Sequence, residues 1–519
     1  MKKTVSGFML TLLVLGTLAL AFRIQSAEAL ATIHIRTDGS IEPSSVPIQR
    51  SGNIYLLVGE VGDSIVVEKD NITIDGAGYT VRGAGTWAGI DLNGRNNVTI
   101  RNVVITGFRY GIDLDDSFNN SVFGNSLTGN LEDGISLSGS SYNSIFSNNV
   151  TENGEDGIGL VSSSTYNTVY GNDVTGNDFD GIAVGDSSDN TIYGNNVQGN
   201  DEDGIDLYGS SHNVVFGNSM TGNFFDGIDI GYSSNSNLIF KNYIVGNDDD
   251  GIDLSNSSYN SICGNNIVES YYGAIEVGYS SNYNRIHENN LTDNYYGIHL
   301  AGSIGNLFYY NNFVNNSRQV YLSESGYANV WDEGYPFGGN YWSNYTGVDH
   351  YGGPDQNQLG SDGIGDTFHG IDADNIDRYP LMLSISVFYS GIWDGKAHTI
   401  DVVSNSTVTS FSFDPEEGPF IRFNVSCGSE EIAFCKVTIP LDLLWVEDGW
   451  AIWVDDELIG HEALSSESYT HIYFVYNHSA QTVVIQGTHV LREIPSVTII
   501  LVLMSSAMLA FVFKKRKMF

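Results

Sequence analysis

Basic side chains are scarce in this sequence. The chain of 519 residues has 22 Lys+Arg against 62 Asp+Glu, a formal net charge of −40. From Gly111 to Phe240 there is no Lys or Arg, against 19 Asp+Glu. A nucleic-acid binder needs a basic footprint on phosphate, and an anionic lipid surface disfavours so acidic a body. Both partners are excluded for the bulk of the chain. Cysteine is almost absent too, and three residues build no disulfide framework. Cys427 and Cys435 lie in one strand-like stretch, where they can bridge a hairpin in an oxidising compartment or stay as unpaired buried thiols; Cys263 stands alone. What is plentiful is glycine, at 59 residues, with 41% hydrophobic and 12% aromatic residues. That composition argues against disorder, and with only 16% charged residues against a helical bundle. An acidic, turn-rich, all-β protein is expected, and the length allows two to four domains.

Long apolar runs occur only at the two ends. Lys2 and Lys3 precede the apolar stretch Gly7 to Phe22, and Ala27-Glu28-Ala29 supplies a small-residue cleavage pattern. Residues 1–29 therefore read as a secretory signal peptide, with an uncleaved anchor as the alternative. Residues 494–513 carry no charge over a length that spans a bilayer. Lys514, Lys515, Arg516 and Lys517 follow at once, which puts the tail 514–519 in the cytoplasm. A cell-surface protein tethered by a C-terminal transmembrane helix is expected, and eleven N-x-[ST] sequons permit glycosylation.

Between the ends runs a repeat. Gly-Ile pairs begin at Gly89, Gly111, Gly134, Gly157, Gly181, Gly204, Gly227, Gly251 and Gly297, in steps of 22 to 24 residues with Gly273 as a variant. A fixed period of this length means a solenoid. Each unit has three short segments of alternating apolar and polar residues, such as Ile205-Asp206-Leu207, Val214-Val215-Phe216 and Ser219-Met220-Thr221. Period two marks strands, and no segment is long enough for a helix. Three strands per unit form one coil of a parallel β-helix, with about eleven coils from Asn71 onward and the coils stacked about 4.8 Å apart. Asn recurs in two columns, one running Asn125, Asn148, Asn172, Asn195 and the other Asn120, Asn143, Asn167, Asn190. An amide both donates and accepts, so identical Asn side chains can bond up a column. Phe123, Phe146, Tyr170, Tyr193, Phe216 and Phe240 form an outer aromatic column, either a stacking ladder or a sugar-binding platform.

This repeat resembles the right-handed parallel β-helix of the NosD family and of the wider carbohydrate-binding and sugar-hydrolysing β-helix group. Asn329-Val330-Trp331-Asp332-Glu333-Gly334-Tyr335, Gly339-Asn340-Tyr341-Trp342-Ser343-Asn344-Tyr345 and Asp377-Arg378-Tyr379-Pro380-Leu381-Met382 are similar to the helix-closing segment of archaeal NosD-like surface proteins. The resemblance implies a β-helix with an N-terminal cap over 30–330 and a closing segment over 331–382. It also implies a role near copper, since NosD proteins assist copper-centre assembly. Copper prefers His, Met and Cys ligands, and His287 and His299 are the pair in the repeat to consider. Residues 383–490 break the period, and their alternating runs read as a β-sandwich-like membrane-proximal domain.

The acidic columns are the strongest candidates for a site. Asp133, Asp156, Asp180, Asp203, Asp226 and Asp250 precede the repeat glycine in six consecutive coils, and Asp206, Asp229 and Asp253 follow its isoleucine. Asp203, Asp206, Asp226, Asp229, Asp250 and Asp253 are candidate Ca²⁺ ligands, since Ca²⁺ takes several carboxylate and carbonyl oxygens. The alternative is Asp as a turn residue bonding backbone. Asp349, Asp355, Asn357, Asp362 and Asp366, spaced with glycines, form a second Ca²⁺ candidate, although they do not fit the EF-hand pattern. For acid–base chemistry only Arg285, His287, Glu288 and His299 stand near one another. The expected function is extracellular surface binding or structure without catalysis, with polysaccharide or glycoprotein glycans and Ca²⁺ as ligands. A polysaccharide-modifying lyase, hydrolase or epimerase is the first alternative, and a copper-accessory protein the second.

Overall fold

The computed structural model describes residues 32–490 except 86, 325, 394–395, 427–432 and 478–480. The expected signal at 1–29, the span at 494–513 and the tail at 514–519 lie outside the described residues. Among the described residues no helix is long and apolar enough to cross a membrane. The chain forms two compact units, one ending at Glu202 and one beginning at Asp203.

The first unit is a parallel β-helix with one sheet, A, B or C, on each side of its coils. One coil consists of Ile135–Ser138, Ser144–Phe146 and Asn149–Thr151. Ile135, Leu137, Ile145 and Val150 are fully buried in its lumen, while their neighbours face outward, as period two requires. The next coil stacks in register, with Ile135 on Ile158, Ile145 on Val169 and Val150 on Val174. Each such aliphatic contributes about 1.5–3 kcal/mol by burial, so the lumen is one continuous core. The repeat glycine sits at a crowded corner. A Cβ at Gly134 would lie 2.3 Å from Val150 Cγ1 and 2.7 Å from the Gly157 carbonyl oxygen. Six coils run from Ile65 to Gln198, preceded by the strand Ile33–Ile35 and an antiparallel hairpin, Ile48–Ser51 with Ile54–Leu57.

The asparagine columns are hydrogen-bonded ladders. The Asn148 backbone N–H and Nδ2 both donate to Asn172 Oδ1 at 3.0 Å, and Nδ2 also donates to the Val122 carbonyl at 3.0 Å. A third asparagine ladder (Asn130, Asn153, Asn177) and a serine ladder (Ser117, Ser140, Ser164) run beside the two expected ones. The aromatic column is a ladder as well. Phe123, Phe146, Tyr170 and Tyr193 stack face to face with centroids 4.7, 4.8 and 5.0 Å apart. Rings that cover each other's faces offer a sugar only their edges.

The second unit begins with five more coils, from Ile205 to Val314, and a closing strand, Arg318–Leu322. With the coil formed by Ile33–Ile35, Ile54–Leu57 and Val61 at the start, the described residues make about 12 turns, one more than expected. The segment 331–382 then closes the lumen with two buried indoles. Trp331 stacks on Phe308 at 4.3 Å and Trp342 on Phe313 at 4.1 Å. Asp377 holds this cap, its Oδ2 accepting from the Asn340 N–H and Trp342 Nε1, each at 2.8 Å. Beyond it two five-stranded sheets form a sandwich around Val402, Phe423, Val437, Ile452 and Phe474. Of the two alternatives for the cysteines, the unpaired thiol is the one seen at Cys435. Cys435 is a free, buried thiol that donates to Ser404 Oγ at 3.3 Å. Its strand directs the thiol into the sandwich core, so it makes no bridge, and Cys427 lies outside the described residues.

Candidate functional site

The site is built on sheet A of the second unit. Its strands Ile205–Tyr208, Ile228–Gly231, Ile252–Ser255, Gly273–Gly278, Tyr296–Ala301 and Arg318–Leu322 run parallel and in register. Ile205 and Leu207, Ile228 and Ile230, and Ile252 and Leu254 all point into the lumen. Alternation therefore forces the residue between each pair outward. The result is one outer column in which Asp206, Asp229, Asp253, Glu276, His299 and Tyr321 are successive register partners.

A second acidic column flanks it. The Asp226 N–H donates to Asp203 Oδ1, and the Asp250 N–H to Asp226 Oδ1, each at 2.7 Å. These aspartates thus bond the backbone of the next coil rather than their own turn, which packs their carboxylates beside the first column. Ligand atoms of Asp226, Asp229 and Asp253 all lie within 4.8 Å of one another, as do those of Asp226, Asp249 and Asp250. At that separation two carboxylates repel by about 3 kcal/mol at an effective dielectric of about 20. Among the described residues Asp226, Asp250 and Asp253 are in no ion pair. Burial first, and the neighbouring acids second, hold all three carboxyls well above the usual carboxylate range. Asp249 is raised by burial and then by Glu276.

A histidine follows the acids in this column. His299 Nδ1 is 2.8 Å from Glu276 Oε2. Its ring packs against Tyr321 at 5.1 Å, Tyr272 at 5.4 Å and Tyr296 at 5.9 Å, and its buried Nε2 has no hydrogen-bond partner. Exposed aromatics border the acids on both sides. Phe224, Phe225, Tyr271 and Tyr295 stand at one margin, and Tyr208, Tyr232 and Tyr279 at the other. Asp249 and Glu276 were not among the sequence candidates. The acidic run Asp248-Asp249-Asp250 and the register of Glu276 with Asp253 are the signals that point to them.

The other candidates are placed differently. Asp349 accepts from the Asp362 and Gly363 N–H groups at 3.1 and 2.8 Å. Asp362 accepts from the Gly353 and Ile364 N–H groups, and Asp366 from those of His350 and Tyr351. Asp355 and Asn357 are exposed. These carboxylates tie a loop together, and among the described residues they form no convergent group of three. Arg285 and His287 lie on sheet B, away from His299 on sheet A. Arg285 Nη2 donates to Tyr309 Oη at 3.0 Å, and His287 Nδ1 is 3.0 Å from Glu288 Oε1. His287 and Glu288 line a cavity of about 1070 Å³ with Lys241, Cys263, Tyr389 and Tyr469.

Residues 196–347 match the family described as periplasmic copper-binding protein (NosD), and residues 88–242 match the right handed beta helix region. By these matches the coils are similar to NosD-like right-handed β-helices. No curated protein matches the chain. Among solved structures, the NosD-like coil is similar to the A-module of the mannuronan C-5 epimerase AlgE6 of Azotobacter vinelandii, at 16% identity over 53% of this chain and 87% of that chain, with a TM-score of 0.42. The catalytic domain of a GH87 alpha-1,3-glucanase in complex with nigerose is similar at 21% identity over 60% and 63% of the two chains, with a TM-score of 0.37. The Dettilon tailspike protein is similar at 14% identity over 82% and 87%, with a TM-score of 0.37.

Copper does not fit the donors this chain brings together. Copper sites draw on imidazole, thiolate and thioether, whereas both convergent groups consist of carboxylates alone. His287 and His299 sit on different sheets, and Met220 is buried in the lumen.

Proposed function

We propose that the protein is a surface binding protein that holds glycans along the outer face of sheet A in its second unit. The observation that carries this reading is one face on which a carboxylate column is bordered by exposed aromatic rings. Carboxylates accept charge-assisted hydrogen bonds from vicinal sugar hydroxyls, which are stronger than neutral ones. Aromatic faces pack on the C–H faces of pyranose rings. Tyr271 and Tyr279 are 79% and 73% exposed, so their ring faces are open, unlike those of the sheet B ladder. Because acids recur on this face in four consecutive coils, about 4.8 Å apart, the face suits a polysaccharide better than a single sugar. The export signal expected at 1–29 and the span expected at 494–513 support a cell-surface location.

A glycan array probed with the full-length protein tests this. Each aromatic contact is worth about 0.5–1.5 kcal/mol, so the double variant Tyr271→Ala/Tyr279→Ala should bind about tenfold to hundredfold more weakly. Unchanged affinity in that variant, or an array that captures nothing, contradicts the reading.

His299 favours a second reading, an enzyme that modifies the bound polysaccharide. A carboxylate orients the imidazole through Nδ1 while Nε2 is left without a partner, which is how a general base is held. Three tyrosines cover it, so such a base acts only once they move. Glycan cleavage or epimerisation that is lost in His299→Ala decides for this reading, and binding without turnover decides for the first.

A further inference from the structure

We infer that the acidic face carries a site for a hard divalent cation of the Ca²⁺ class, held by Asp226, Asp229 and Asp253 with Asp249 and Asp250 beside them. The inference goes beyond glycan binding and does not depend on it.

Proximity of acids alone would not carry this, since exposed carboxylates often cluster in solvent. Here the group is partly withdrawn from solvent, with Asp250 buried, Asp226, Asp229 and Asp253 half-buried and Asp249 exposed. Asp250 is 4% exposed, and its Oδ1 accepts no hydrogen bond; the buried Oδ1 of Asp253 accepts none either. A buried carboxylate oxygen without a donor is costly, and a cation is the partner that would satisfy several such oxygens together. The sequence opens space at this point. The next coil replaces the repeat aspartate with Gly273, where a Cβ would lie 2.5 Å from Asp250 Oδ1. Asp226 belongs to both convergent groups and so links them.

The donors select the cation. Ca²⁺ takes six to eight oxygens at about 2.3–2.6 Å in flexible geometry, and each convergent group on this face consists of carboxylates alone. The family's copper and this chain's oxygen donors therefore point to different metals.

Calorimetric titration of CaCl₂ into the full-length protein, stripped with EDTA, tests the site. Saturable binding is expected with Kd of about 10⁻⁴–10⁻³ M, the class of extracellular modules, together with a rise in the melting midpoint, since a ligand bound only to the native state stabilises it. Asp253→Asn keeps shape but removes a charge. It should weaken Ca²⁺ by about tenfold or more, on the dependence of affinity on ligand charge. In EDTA the same variant should melt above wild type, because repulsion is relieved. That crossing separates loss of a ligand from loss of fold. Asp189→Asn, on an exposed turn of the first unit, should titrate like wild type. Absence of saturable binding, or an unchanged Kd in Asp253→Asn, overturns the site. The titration contains no glycan, so its failure is separate from failure on the array.

Discussion

Asn172→Ala should destabilise the first unit by about 4 kcal/mol. Asn172 Oδ1 accepts both the N–H and Nδ2 of Asn148 at 3.0 Å, and its Nδ2 donates to the Ile145 carbonyl at 3.0 Å and to Asn195 Oδ1 at 2.9 Å. Alanine leaves the buried Asn148 N–H without its acceptor and the Ile145 carbonyl without this donor. Each orphaned group costs about 1–3 kcal/mol, and the methyl group does not fill the corner. At about 2–4 °C per kcal/mol for a domain of this size, the midpoint of a thermal scan should fall by roughly 10 °C. Asn172→Asp keeps the acceptor and loses the donor, so it should fall between. A drop below about 1 kcal/mol in Asn172→Ala would mean that lumen packing alone holds the coils in register.

Stability should also fall as pH rises from 5 to 8. Burial pushes the Asp133 carboxyl up to about 7, against a hydrogen bond with Ser136, and that of Asp156 up to about 8, where Asp133 and Asp180 add repulsion. Unfolded, both titrate near 3.9. Between those values the native state binds more protons than the unfolded state, so unfolding free energy declines with pH. The contribution is fully present below about pH 4 and is lost as pH passes through about 7 and 8. For Asp156 it is on the order of 5 kcal/mol, at about 1.4 kcal/mol per pH unit. The acids of the second unit act in the same direction, so Asp156→Asn isolates the share of the first. Denaturant midpoints at pH 5 and pH 8 in EDTA should lie closer together in that variant than in the wild type. A wild-type midpoint that rises with pH contradicts the argument.

The coil was legible because its repeat writes each structural demand many times. Glycine at the crowded corner, aliphatics in the lumen and asparagine at two turns all recur at one period. Ser140 and Asn153 recur at the same period, yet small polar residues are so common in this chain that their columns do not stand out by composition. Alternation within a strand tells inside from outside but not which of three sides is which, so Arg285 and His287 could be assigned to an outer face while their separation from His299 could not. Spacing of acids was similarly blind to direction. The carboxylates of Asp349, Asp362 and Asp366 turn onto backbone N–H groups, whereas those of Asp226, Asp229 and Asp253 turn toward one another. Glu276 became visible only through register, because its coil replaces the repeat aspartates. Cys435 pairs with nothing because strand orientation, which spacing does not encode, sends it into the sandwich core.

Anomalous diffraction from crystals of the full-length protein grown with a lanthanide in place of Ca²⁺ tests most directly whether the acidic face of the second unit is where this protein binds. The account predicts a peak among Asp226, Asp229 and Asp253, with carboxylate oxygens about 2.3–2.6 Å from the ion, and its absence in Asp253→Asn. Ordered peaks confined to the loop of Asp349, Asp362 and Asp366, or no peak on sheet A, would contradict it.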